Sequence, residues 1–300
     1  MKEYLKPRKL FDNAYLLLAL AVLFWSINFI LARALRAQIP PIALAFWRWF
    51  IATIILSGFA TKQLVKDIII VKDNFLIIFT LSALGVGAFN TLIYSGMQYS
   101  VALNAILLQS VMPVLVVIMS FLLFKQRLNT LQIIAVIISL SGAVFIIIRG
   151  NIGNLSSMSI NYGDRFFLIA VFCYALYTVL LRQRPKMHPL AFLLATFITG
   201  TILILPLYLY EHFMVKQIAF DLPTVLSILY VAIFPSIVSY LFFNRGVDLI
   251  GANKAALFSH LMPVYGTLLS VLVLGESFQF YHAVGIALIL FGILLISRKT

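Results

Sequence analysis

The sequence predicts an all-α integral membrane protein: ten transmembrane helices arranged as two inverted five-helix repeats. Three observations carry this. Of 300 residues, 63% are hydrophobic and 10% are charged, against about 25% charged in soluble domains. Apolar runs long enough to cross a bilayer, about 20 residues each, recur along the whole chain. The second half also repeats the apolar pattern of the first while its basic residues change sides.

The runs fall at 14–35, 42–60, 75–95, 101–124, 129–148, 165–182, 189–210, 223–243, 253–274 and 281–297. They are continuous and lack the alternation of membrane strands. The first follows Lys2, Lys6, Arg8 and Lys9 but is too long for a signal-peptide core, so it reads as a retained helix. Short connections leave no room for a soluble domain. The single cysteine, Cys173, excludes an internal disulfide and any cysteine metal site. A net charge of +13 would suggest nucleic acid in a soluble protein, but the charges are too dispersed to form a phosphate groove. Their distribution follows the cytoplasmic bias of Lys and Arg instead. With both termini cytoplasmic, 16 basic residues fall inside and 5 outside.

Sliding the chain by 150 residues pairs 96–146 with 246–296 without a gap, including Met112-Pro113-Val114 on Met262-Pro263-Val264 and Gly142 on Gly292. An offset of 149 pairs FWSINFILAR (24–33) with CYALYTVLLR (173–182). Residues 1–150 and 151–300 thus each hold five helices, and an odd number forces opposite orientations. Lys125 and Arg127 face Gly275 and Ser277, and the uncharged 96–101 loop faces one bearing Arg245 and Lys254. Inverted repeats are a common construction of secondary transporters.

These segments, with FWRWFIA (46–52), the run from Phe89 to Asn129, the run from Asn244 to Phe278 and GIALILFGILLI (285–296), resemble the EamA-type family of the drug/metabolite transporter superfamily. The resemblance implies export of amino acids or other small metabolites across the bacterial inner membrane by alternating access. It also implies helices 1–4 and 6–9 around a cavity, with 5 and 10 outside. The family's acidic loop residue is kept as Glu276 and replaced by Gln126 in the first half.

Polar groups inside apolar helices mark candidate sites, because hydrocarbon does not solvate them. Arg48 lies about 10 Å into its helix at 1.5 Å per residue, with no acidic residue nearby in sequence. Its planar fork suits a substrate carboxylate. Snorkelling beside Trp47 and Trp49, or pairing with backbone carbonyls, are the structural alternatives. Trp25 and Asn28 share a helix face, as do Tyr174 and Tyr177, their repeat mates. Asn90 and Tyr94 are matched by Tyr240 and Asn244 with the residue types exchanged. These eight read as cavity lining, or else as helix–helix hydrogen bonds. Pro113 and Pro263 are expected mid-helix, freeing the carbonyls of Gln109 and Ser259. With Gln109, Ser110 and His260 they would form a polar belt that hinges or simply kinks. His260 is the deep group able to titrate near neutrality, since all nine carboxylates fall in tails, loops or helix ends.

Ala135, Ser139 and Gly142, with Gly285 and Gly292, permit close helix approach, within the chain or between two copies as a homodimer. Asn154-Leu155-Ser156 is a formal glycosylation sequon. No catalytic constellation or cofactor motif is present, so a membrane enzyme ranks below a carrier. Efflux of drugs or cations would want a deep carboxylate, which the sequence lacks. The expected partners are a small-molecule substrate and the bilayer.

Overall fold

A computed structural model describes residues 11–127, 129–151, 153, 161–274 and 277–297. Lys2, Lys6, Arg8, Lys9, the Asn154 sequon and Glu276 lie outside the described residues. Every apolar stretch contains helix: α1 (Ala14–Ala34), α2 (Pro41–Lys66), α3 (Phe75–Tyr99), α4 (Asn104–Phe124), α5 (Thr130–Ile147), α6 (Tyr162–Gln183), α7 (Pro189–Met214), α8 (Leu222–Ile250), α9 (Leu261–Leu274) and α10 (Phe280–Ser297). The first eight are long and apolar enough to cross a membrane. No strand occurs among the described residues.

Local sequence sets the starts. Asn129 and Gln132 form a capping box at α5, and Asn161 and Asp164 form one at α6. Asp221 accepts the Thr224 N–H at the start of α8, and hydrogen bonding from Thr224 holds its carboxyl below the usual range.

The helices pair antiparallel. Along α1 and α8, Ser239 Oγ donates to Ala21 O and Trp25 Nε1 donates to Pro235 O. Along α3 and α6, Gly96 and Gly163 meet backbone to backbone, and Ser100 Oγ donates to buried Asp164 at 2.5 Å. Gly142 meets Gly285, and Gly292 meets Ala135 and Ser139, so the small-residue stripes pack α5 on α10 within the chain.

The α2–α7 pair is tied at both ends. Pro40 and Pro41 leave α2 without a side-chain cap of its own. Glu211, buried near the end of α7, accepts the Ile42 and Ala43 N–H groups at 3.1 and 2.6 Å. At the other end Asp67, after α2, accepts the His188 N–H at 2.8 Å, just before α7. Glu211 thus caps the first turn of α2, whereas Asp67 holds the backbone of His188, the N-cap residue of α7, whose ring nitrogen accepts the Leu190 N–H at 3.3 Å. Losing a cap costs about 1 kcal/mol, so Glu211→Ala should lower the thermal midpoint by about 2–4 °C, and Glu211→Gln by less. Thermal unfolding of the purified protein checks this.

Two helices carry a π turn, Ala83–Ala88 in α3 and Ile233–Val238 in α8, at corresponding positions 150 residues apart. Pro235 lacks an N–H, and Ser236 and Ser239 hydroxyls donate five residues back to Val231 O and Phe234 O.

Both expected mid-helix prolines follow a departure from the regular α ladder. The α4 helix stops at Gln109 and restarts at Met112, which puts Pro113 in a first turn. A short helix, Ala252–Ala256, and a 3-10 turn, Leu257–His260, precede α9, which puts Pro263 in a first turn too. Proline is tolerated there because the missing N–H has no helical acceptor.

Candidate functional site

Arg48 has no exposed surface, which excludes snorkelling. Its Nε donates to Ser236 Oγ at 2.6 Å, and Nη2 donates to Pro235 O at 3.0 Å. Nη1 donates to Asn90 Oδ1 at 2.8 Å and Tyr94 Oη at 2.7 Å, with Asn28 Oδ1 at 3.5 Å. The guanidinium carbon stands 4.8 Å from the centre of the Trp49 ring. Among the described residues no carboxylate pairs with it; the two ion pairs are Arg184–Asp248 and Arg245–Asp12. Taking a cation out of water costs several kcal/mol. Uncharged acceptors offset part of that cost, each bond to a charged group contributing about 1.5–3 kcal/mol.

Helices of both halves supply the cluster: Asn28 from α1, Arg48 from α2, Asn90 and Tyr94 from α3, and Pro235 and Ser236 from the π turn of α8. The π turns matter because they release carbonyls from the helical ladder. Pro235 O accepts from both Arg48 and Trp25. Gly85 O, in the other π turn, accepts from the Tyr240 hydroxyl.

The residues matched by the repeat meet in matched ways. Tyr94 Oη donates to Asn28 Oδ1 at 2.7 Å, and Tyr177 Oη donates to Asn244 Oδ1 at 2.9 Å. These are one contact made twice with the residue types exchanged. The symmetry breaks at the charge. Counting from Pro41 and Pro189, the first residues of α2 and α7, Arg48 corresponds to Thr196.

Aromatic rings enclose one side. Trp25 meets Tyr174 at 5.4 Å and Phe243 at 5.1 Å between centroids, and Trp49 meets Tyr240 at 5.2 Å and Phe197 at 4.7 Å. Within this shell, and among the described residues, the Trp49 N–H and the amide nitrogen of Asn244 are buried without a partner. Unpaired buried polar atoms are uncommon in proteins, and a ligand or water is one way to complete them. Ser236, Pro235, Gly85 and Trp49 were not singled out from sequence as lining. Pro235 inside an apolar run was the available signal; Gly85 offered none.

The cluster thus joins nine of the predicted residues: Arg48, Trp25, Asn28, Asn90, Tyr94, Tyr174, Tyr177, Tyr240 and Asn244. Gln109 and His260 lie apart. Gln109 Nε2 reaches Met112 Sδ at 3.3 Å, and its Oε1 has no partner. His260 sits 2.8 Å from Ser139 Oγ and 2.9 Å from Ser110 O. Both ring nitrogens are engaged, so His260 fastens the α9 entry to α5 and to the break in α4. Two cavities, about 650 and 770 Å³, lie elsewhere: one lined by Arg182, Arg184, Lys186 and Asp248, the other by Ile30, Arg149, Pro263 and Tyr281. Neither is lined by Arg48, whose side chain has no exposed surface.

The sequence model of the EamA-like transporter family matches residues 12–148 and 161–298. The uncharacterized transporter YyaM of Bacillus subtilis is 27% identical over 290 residues, 94% of this chain and 92% of its own. An uncharacterized transporter of Archaeoglobus fulgidus is 27% identical over 291 residues, 96% of this chain and 98% of its own. A solved crystal structure shares the fold with a TM-score of 0.73 at 18% identity, covering 95% of this chain and 96% of that one. With family matches spanning most of its length and apolar helices throughout, this chain is a multi-pass membrane protein of the EamA-like transporter family.

Proposed function

We propose that the protein is a secondary carrier in the bacterial inner membrane that exports amino acids or similar small carboxylate-bearing metabolites by alternating access. The observation that carries this is Arg48: a fully buried guanidinium held by uncharged acceptors, with no carboxylate beside it among the described residues. A substrate carboxylate supplies the missing charge and exploits the fork. The ammonium of an amino acid would lie against the aromatic shell, where ring faces attract cations. A cationic drug meets a like charge at the same place, which weighs against the multidrug reading.

The exchanged Tyr–Asn contacts, the paired π turns and the antiparallel pairings support ten spans arranged as two inverted repeats, residues 1–150 and 151–300. In that arrangement the charge bias puts both termini in the cytoplasm. No deep carboxylate is at hand to carry a proton, and His260 is engaged on both nitrogens, so the reading favours uniport or exchange over proton drive. Purified protein in liposomes should carry radiolabelled amino acids by counterflow without altering them, and an imposed pH gradient should change the rate little. Chemical conversion of the solute, or flux driven strongly by protons, overturns the reading.

A further inference from the structure

We infer that the 650 Å³ cavity between α4, α6 and α8 is a recruitment site for small soluble carboxylates, one step before the Arg48 cluster. This rests on the reading that the carried solute bears a carboxylate. Arg182, Arg184 and Lys186 line the cavity and face one acid, Asp248. Asp248 is bound to Arg184 at 2.7 Å. Among the described residues, Arg182 and Lys186 have no ion-pair partner. The Arg182 guanidinium lies 5.1 Å from the centre of the Phe124 ring and Arg184 lies 5.1 Å from that of Phe192. Stacking on a ring fixes the plane of a guanidinium and leaves its edge free for a carboxylate.

The cavity is a recess and not a lipid-facing surface, because buried Ser120, Val179 and Val247 form its inner wall. Low-dielectric walls of this kind concentrate the field of the cations and raise the local concentration of anions. Asp248 limits the net charge, which favours a monocarboxylate over a dianion.

The recess also points at the site. Asp248, Asn244 and Tyr240 stand at four-residue steps on one face of α8, about 6 Å apart along its axis. Asn244 accepts from Tyr177, and Tyr240 belongs to the aromatic shell around Arg48. The Tyr177–Asn244 hydrogen bond is therefore the part of the cluster one helical turn from the recess.

The test uses the full chain in phosphatidylcholine nanodiscs, where both faces are accessible. Cys173→Ser removes the native thiol, and Gln126→Cys places a thiol in the exposed loop that lines the recess. Labelling is followed with the anionic reagent methanethiosulfonate ethylsulfonate and its cationic trimethylammonium analogue. The anionic reagent should react faster, and Arg182→Gln with Lys186→Gln should lower the anionic-to-cationic ratio at least about 5-fold, as expected when a focused field is removed. Phenylacetate should slow labelling, whereas its neutral isostere phenylacetamide should not. Protection should vanish in the double variant and persist in Arg48→Gln. If the double variant folds poorly, each single substitution should lower the ratio by a smaller factor. Equal rates for the two reagents, or equal protection by acid and amide, overturn the inference. So does protection that appears only when phosphatidylglycerol is added to the nanodisc, which would assign the recess to a lipid headgroup. Protection that survives while amino-acid counterflow is absent would leave the recess standing and defeat the proposed central site.

Discussion

Arg48→Ala should lower counterflow at least about 30-fold, the factor that corresponds to losing about 2 kcal/mol of charge-assisted recognition. Arg48→Lys should fall between the two, because an ammonium restores the charge but not the planar fork. The protein itself should not suffer in proportion. Removing a buried cation that has no counterion also removes its desolvation penalty, although Ser236, Asn90 and Pro235 O lose a donor. A thermal midpoint near that of the wild type, together with collapsed transport, is the expected signature. Normal transport by a folded Arg48→Ala protein would end the carboxylate-recognition reading.

The second large effect concerns packing. A Cβ added at Gly142 would stand 2.7 Å from Gly285 O and 2.8 Å from Leu288 Cβ. Both belong to the facing helix, and a helical carbonyl cannot turn aside as a flexible side chain can. Overpacking costs about 1–3 kcal/mol, and two further methyl groups raise the demand. Gly142→Val should therefore lower the thermal midpoint by roughly 5–10 °C and reduce the recovered yield. Gly58 in α2 provides the contrast, since a Cβ there meets nothing within 4 Å. Gly58→Ala should raise stability by up to about 1 kcal/mol through helix propensity alone. A Gly142→Val protein as stable as the wild type would show that α5 and α10 separate at little cost.

Helix positions and most of the central cluster were legible in the sequence, for identifiable reasons. Run length marks a span because the bilayer has a fixed thickness. Tyr94 with Asn28 and Tyr177 with Asn244 were legible as a set because the repeat preserves their spacing even where it exchanges their identity. Arg48 stood out as a charge in an apolar helix. What the sequence concealed lies in contacts between distant segments and in backbone departures from the regular helix. Glu211 reads as a helix-end acid until its partners, 169 and 168 residues away, are known. The π turn at Ala83–Ala88 has no proline to announce it, whereas Pro235 marked its counterpart. The form of the departures before Pro113 and Pro263, a turn in one and a 3-10 stretch in the other, was not legible, because proline is equally at home in a first turn and at a kink. His260 was recognised as deep, but Ser139 and Ser110, which occupy both its nitrogens, lie 121 and 150 residues away.

The carboxylate ties at the two ends of the α2–α7 pair act as a mechanical constraint on the bundle. Sliding one helix along the other by a single turn, about 5.4 Å, would pull Glu211 from Ile42 and Ala43 and Asp67 from His188 at the same moment. Tilting the pair about either end breaks one attachment and keeps the other as a pivot. With each tie contributing about 1 kcal/mol, the ties resist shear roughly twice as much as they resist rocking. The two carboxylates therefore steer this pair toward seesaw motion, in which one end parts while the opposite end stays fastened.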